Sequence, residues 1–259
     1  MQIEDIVVTR AIITSYMEEL LGALDSDVAV VGGGPAGLAA AYYLAKGSLR
    51  VVLFESKLSV GGGMWGGGMM FNKIVVQDEA KPILEEMGIR YKTFEQGYYC
   101  ADSVEVVAAL ALNAVRAGAR IFNLISVEDV MVREERITGL VLNWKAVGMA
   151  SLHVDPLAVN SRYVIDSTGH DAQVTNIVVQ KLKGKLNTQS GKLEGEKSMW
   201  ASRGEEAILA NTIEVYPGLY VAGMAANAVV GGYRMGPVFG GMLLSGQKVA
   251  QLILKDSIG

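Results

Sequence analysis

Apolar side chains recur at helical spacing through residues 9–24, TRAIITSYMEELLGAL, and predict an amphipathic helix near the N-terminus. From residue 27 the pattern changes. DVAVVGGGPAGLAAAYYLAKGSLRVVLFE reads as an apolar strand, a tight glycine turn, an alanine-rich helix and a second apolar strand, a βαβ unit of about 30 residues. A glycine-rich loop, SVGGGMWGGGMM, follows at 59–70. Helical patterns return at 78–88 and 103–117, and ARIFNLISVEDVMVREERITGLVLNW predicts strands with a turn near Glu134 and Glu135. SRYVIDSTG reads as a further buried strand ending in a glycine turn. The polar stretch 181–198, KLKGKLNTQSGKLEGEKS, is expected to be a mobile surface loop. The remainder predicts a strand, a glycine-rich turn and a helix from about Met235.

Val28 to Ala45 carries no charge and has the length of a membrane span, but GGGP would break a helix there. A strand followed by a separate helix fits better, and no membrane association is expected. The 259 residues suffice for a single dinucleotide-binding domain over 1–259, with an N-terminal helix and a β-rich insertion around 90–160. A hydrophobic share of 51% excludes a disordered chain. The net charge of −4 offers no basic footprint, so no nucleic-acid partner is expected. Cys100 is the sole cysteine and cannot form an internal disulfide, which suits a reducing cytoplasm. The opening MQIEDIVVTR lacks a basic segment followed by an apolar one, so a secretory leader is not expected.

Chemistry enters at the glycine turn. Gly32, Gly34 and Gly37 have the GxGxxG spacing between a strand and a helix, and Glu55 ends the next strand 18 residues after Gly37. Gly32 suits the tight turn, Gly34 the close approach of backbone to a pyrophosphate, and Gly37 close helix–strand packing. The helix N-terminus offers free N–H groups to phosphates, and Glu55 can accept hydrogen bonds from two ribose hydroxyls. A dinucleotide or another ADP-containing ligand is indicated. The two histidines, His153 and His170, lie 17 residues apart and each is close to an aspartate, in SLHVDP and DSTGHDA. Metal chemistry would explain that pairing; so would chance.

YVIDSTG and GLYVAGMAANAV resemble the later segments of two-dinucleotide-binding flavoproteins, with Met224 where those proteins carry an aspartate for the flavin. The implied fold class is α/β, a Rossmann-like FAD/NAD-binding fold with an inserted β-rich segment. More specifically, GGGPAGL, ESKLSVGGGMWGGGMM, GLVLNW, HVDP, STGHDA and RMGPVFGGMLLSG occur in order along nearly the whole chain. Together they resemble the NAD-consuming thiamine thiazole synthases.

The resemblance implies that NAD is a substrate. Nicotinamide is expelled and the ADP-ribose part is rebuilt, with glycine and sulfur, into an ADP-linked thiazole carboxylate. In the eukaryotic branch a cysteine just before "xDP" gives up its own sulfur. His153 stands there in this chain, which implies free sulfide, as in the archaeal branch. That branch implies Fe(II) held by Asp155 and His170, with His153, Asp155 and His170 as the catalytic set. Ser56, Gly63, Val127 and Met224, together with His153, Val154 and Asp155, match nucleotide-contacting positions. Ala36 falls where archaeal relatives often carry serine. Arg234, in GGYRMGP, can clamp a glycine carboxylate because its guanidinium pairs bidentately with carboxylates. Asp166 and Asp171 flank the histidine segment without an assigned role. The family further implies a homo-octamer. Two alternatives remain on the same residues: an FAD-dependent oxidoreductase, and a nucleotide- or iron-holding module without turnover.

Overall fold

The computed structural model describes residues 3–182 and 185–258. In chain order it contains α1 (Asp5–Leu21), β1 (Asp25–Val31), α2 (Pro35–Lys46), β2 (Val51–Glu55), β3 (Lys73–Val76), α3 (Lys81–Glu86), β4 (Tyr91–Glu95) and β5 (Tyr98–Asp102). There follow α4 (Ser103–Arg116), β6 (Arg120–Asn123), β7 (Ile125–Arg133), β8 (Arg136–Trp144), α5 (Lys145–Met149), β9 (Leu157–Asp166), α6 (Gln173–Lys181) and β10 (Lys197–Met199). The remaining elements are α7 (Ala201–Asn211), β11 (Glu214–Tyr216), β12 (Leu219–Val221), α8 (Met224–Val230), β13 (Tyr233–Arg234) and α9 (Gly240–Ile258).

The runs without a polar face form the centre of the main sheet, in the order β11-β12-β9-β1-β2-β6. β12, β9, β1, β2 and β6 are mutually parallel, and β11 closes one edge antiparallel. Alternate residues serve opposite cores, as expected of strands buried on both faces. Val28, Val30, Val51 and Leu53 pack with α2, α4 and α9; Ala29, Val31, Val52 and Phe54 pack with the β7–β8 hairpin, α6 and α8. Helices α2 and α9 approach closely because Gly246 faces the first turns of α2: a Cβ there would collide with the Ala36 carbonyl oxygen.

The expected β-rich insertion divides into two structures. β4 and β5 join β3 in a separate antiparallel sheet, whereas the β7–β8 hairpin attaches to the main sheet through β8–β9. The helix expected at 78–88 is a short 3-10 turn at Asp78–Ala80 followed by α3, with Pro82 in the first turn of α3. Asp102 caps α4, accepting from the Val104 and Glu105 N–H groups at 3.0 and 3.3 Å. The helix expected from Met235 starts at Gly240 instead. Pro237 disfavours helical backbone at Gly236, which takes φ +76, and the chain stays extended until Phe239 N–H donates to the Val75 carbonyl.

The N-terminal helix forms, but its apolar side has little of its own chain beneath it. Leu20 is its buried residue, while Ile6, Val7, Val8, Ile12, Ile13, Met17 and Leu21 are exposed. Tyr16 anchors it, edge-on to Phe122 and beside Trp144. Among the described residues no helix is long and apolar enough to cross a membrane.

Candidate active site

The glycine turn lies between the C-terminal end of β1 and the start of α2. Gly32 takes φ +95, and a Cβ there would stand 2.6 Å from the Ser167 carbonyl oxygen. At Gly37 a Cβ would strike the Gly32 carbonyl oxygen. Gly34 differs: a Cβ there would meet nothing within 4 Å, so its open side faces the cavity. These environments match the turn, packing and pyrophosphate-approach roles of the three positions. Glu55 is 6% exposed at the end of β2. Its Oε2 accepts from the Gly33 N–H and its Oε1 from the Lys57 N–H, both at 2.8 Å. The carboxylate therefore ties the glycine turn to β2 while lining the cavity.

That cavity measures about 480 Å³, within the range of small-molecule sites. Gly32, Gly34, Ala36, Glu55, Ser56, Gly63, Val127, His170, Met224 and Arg234 all line it, as does Asp171. Gly37 sits behind the turn. Arg234 forms no ion pair among the described residues, so its guanidinium remains available to an anion. His153, Val154 and Asp155 do not line this cavity; they lie on an exposed stretch between α5 and β9. The ten residues of β9, an extended run of about 30 Å, separate that stretch from the loop carrying His170. Within one chain the structure does not bring Asp155 to His170.

The His170 loop is held by hydrogen bonds around an aspartate that the sequence motifs leave without a role. Asp166 is fully buried at the end of β9. Its Oδ1 accepts from the Thr168 N–H and hydroxyl at 3.1 and 2.7 Å, and its Oδ2 from the Thr175 N–H and hydroxyl, both at 2.8 Å. The Ser167 hydroxyl lies 2.8 Å from the carbonyl oxygens of both Val31 and Gly32, linking this loop to the glycine turn. An aspartate followed by two hydroxyl residues at a strand end is the available sequence signal, but the distant partners are Thr175 of α6 for Asp166 and the Val31 and Gly32 carbonyls for Ser167.

His170 Nδ1 lies 2.9 Å from both carboxylate oxygens of Glu196. Glu196 belongs to the stretch expected to be a mobile loop, and the described part of that stretch is anchored instead; residues 183 and 184 lie outside the described residues. Leu186 is buried, Asn187 N–H donates to the Val215 carbonyl, and Glu194 N–H donates to the Val229 carbonyl. Lys197–Met199 forms β10 against β13. A carboxylate on one ring nitrogen, with the other nitrogen available, suits a metal-binding histidine. No group of three or more candidate ligands gathers among the described residues. Of the two histidines, only His170 reaches the cavity.

Residues 9–239 match the Thi4 family. The chain belongs to the Thi4 family. The thiamine thiazole synthase of Methanothermobacter thermautotrophicus is 60% identical over 255 residues, covering 98% of this Thi4-family chain and 99% of the relative. That of Pyrococcus horikoshii is 56% identical over 253 residues, 98% of each. The crystal structure of Thermovibrio ammonificans THI4 matches with a TM-score of 0.97 at 50% identity and covers 100% of both chains. A geranylgeranyl bacteriochlorophyll reductase-like protein from Thermoplasma acidophilum, 15% identical, reaches a TM-score of 0.53 over 90% of this chain and 79% of its own. It shares the fold of the Thi4-family chain and nothing more specific.

Proposed function

We propose that this chain converts NAD, glycine and free sulfide into ADP-5-ethyl-4-methylthiazole-2-carboxylate, releasing nicotinamide, and that it does so repeatedly with Fe(II). Membership of the Thi4 family supports the coarser activity, thiazole synthesis for thiamine. One observation carries the finer reading: the cavity joins a dinucleotide cradle to an unpaired guanidinium and an imidazole, and no thiol lines it. Cys100 lies on β5, opposite Val75 and Lys92 in the small sheet.

The residues divide the work by their chemistry. The open side of Gly34 and the N–H groups of the first turn of α2 receive the diphosphate. Glu55 accepts from the adenosine ribose, and Arg234 takes the glycine carboxylate in a bidentate pair. Sulfide supplies the ring sulfur because His153 stands where the eukaryotic branch carries its sulfur-donating cysteine. Fe(II) would be held by His170 and by Asp155 from a second copy of the chain, and when bound it supplies a Lewis acid for sulfur delivery. The exposed α1 side chains, with Trp144, Met149, Leu152, Val154 and Leu157, provide apolar surface on which a second copy would place Asp155. A homo-octamer is the proposed assembly.

The test is mass spectrometry of small molecules released from the purified protein, paired with anaerobic turnover on isotopically labelled sulfide. The expected result is several labelled products per chain and an unchanged intact protein mass. Product without added sulfide, with loss of one hydrogen sulfide from Cys100, would refute the reading. Bound FAD in place of ADP-thiazole would favour an oxidoreductase.

A further inference from the structure

We propose that Glu196 is a positioning residue for His170: it holds the hydrogen of the neutral ring on Nδ1 and so presents an unprotonated Nε2 to the cavity. The proposal rests on the reading of His170 as a metal ligand. An ionised carboxylate only accepts hydrogen bonds, so the ring nitrogen facing it must donate. Both Glu196 oxygens are 2.9 Å from Nδ1, and Nε2 has no hydrogen-bond partner among the described residues. In the neutral ring that leaves the lone pair on Nε2. The carboxylate is also the more sheltered partner, with 19% of its side chain exposed against 47% for His170.

Glu196 is itself held on both sides. Before it, Glu194 N–H donates to the Val229 carbonyl at 3.0 Å. After it, Lys197 N–H donates to the Gly232 carbonyl at 2.9 Å, and Trp200 N–H to the Arg234 carbonyl at 3.0 Å. Between these, Lys197 and Met199 pair with Tyr233 and Arg234. One short strap therefore fixes the imidazole through a side chain and the backbone of Arg234 through a strand pairing. The two groups assigned to iron and to the glycine carboxylate keep their spacing because the same residues hold both.

The test uses the full-length assembly and two readouts. The first is the tautomer of His170 in the metal-free protein, from nitrogen-15 imidazole shifts by magic-angle-spinning NMR, assigned with His153→Gln. Above pH 8, wild type should show Nδ1 protonated and Nε2 bare. Glu196→Ala should move His170 toward the Nε2-protonated form that free imidazoles favour, and Glu196→Gln should fall between. The second is anaerobic Co(II) binding, where Glu196→Ala should weaken affinity roughly 10–100-fold with NAD affinity and melting temperature unchanged. An unchanged tautomer in Glu196→Ala overturns the proposal whatever the metal does. Unchanged Co(II) binding in Glu196→Ala, with weakened binding in His170→Ala, overturns it as well. If His170→Ala binds Co(II) like wild type, the ligand reading of His170 fails, and the NMR readout still decides the role of Glu196.

Discussion

The two ends of β9 are built in opposite ways. At its C-terminal end Asp166 is buried with four donors, and Ser167 joins the loop to the glycine turn. At its N-terminal end residues 151–158 are exposed, and their recorded side-chain contact is Asn143 Nδ2 donating to the Val154 carbonyl at 3.1 Å. The first end is finished within one chain. The second carries His153 and Asp155 on a surface whose apolar neighbours have no cover. Residues that resemble a metal pair in sequence therefore belong to different regions: one is held within the fold, the other is exposed at its surface.

The strongest way to break this comparison is subunit mixing. Asp155→Ala and His170→Ala should each abolish thiazole formation. Co-assembled in equal amounts, they should recover about one quarter of the wild-type activity if each site draws its two ligands from different copies. Anaerobic product yield measures this, and a mixture as inactive as its components would return both ligands to one chain.

The next effect is on stability. Asp166→Ala leaves Thr168 and Thr175 donors buried without an acceptor and should cost about 3 kcal/mol in denaturant unfolding. Asp155→Ala, which removes an exposed side chain without a hydrogen-bond partner among the described residues, should stay within about 0.5 kcal/mol. Equal losses would erase the contrast between the two ends.

Within the finished region, Arg234→Lys keeps the charge but loses the planar fork. The apparent glycine requirement should rise about tenfold, equivalent to one charge-assisted hydrogen bond, while NAD binding holds. Glycine titration at saturating NAD checks this, and equal requirements would remove the carboxylate clamp.

The smallest effect concerns a half-buried carboxylate less well served than Asp166. Glu205, on α7, accepts from the Gly241 N–H and from Gln77, but its Oε1 has no partner, and neither does Gln77 Oε1. Burial raises its pKa, against the lowering influence of Gln77 and the Gly241 N–H. A carboxyl raised in the folded state binds its proton more tightly there than in the unfolded chain. Its stabilising contribution is complete below the unfolded pKa, about 4.3, and declines as pH rises through the folded value. Glu205→Gln should therefore gain stability relative to wild type between about pH 5 and 7. Melting temperatures that differ by the same amount at both pH values would show that Glu205 does not titrate in that window.

The legible parts of the molecule were those whose cause is local. The βαβ unit, the glycine turn and Glu55 follow from short-range pattern, and the structure places them at one cavity. Helices α6, α7 and α8 escaped because they are short and their ends are set by distant partners, such as Asp166 receiving the Thr175 N–H. Glu196 escaped for a similar reason: its polar, glycine-bearing surroundings suggest a loop, and its meaning lies 26 residues away at His170. Proximity in sequence does not translate into proximity within one chain for the two metal-ligand candidates. Asp155 and His170 are 15 residues apart in the chain, but most of that interval is an extended strand.

The close packing of α2 against α9 at Gly246 has a consequence for synthesis. α2 ends at Lys46, and α9 starts only at Gly240, about two hundred residues later. At roughly 5–20 residues per second, the side of α2 that receives α9 waits about ten to forty seconds for its partner. During that interval the alanines of the nascent helix face solvent or a chaperone. The turn that cradles the nucleotide is made early and locked late, so a ribosome that stalls beyond β12 would leave it shaped but uncovered.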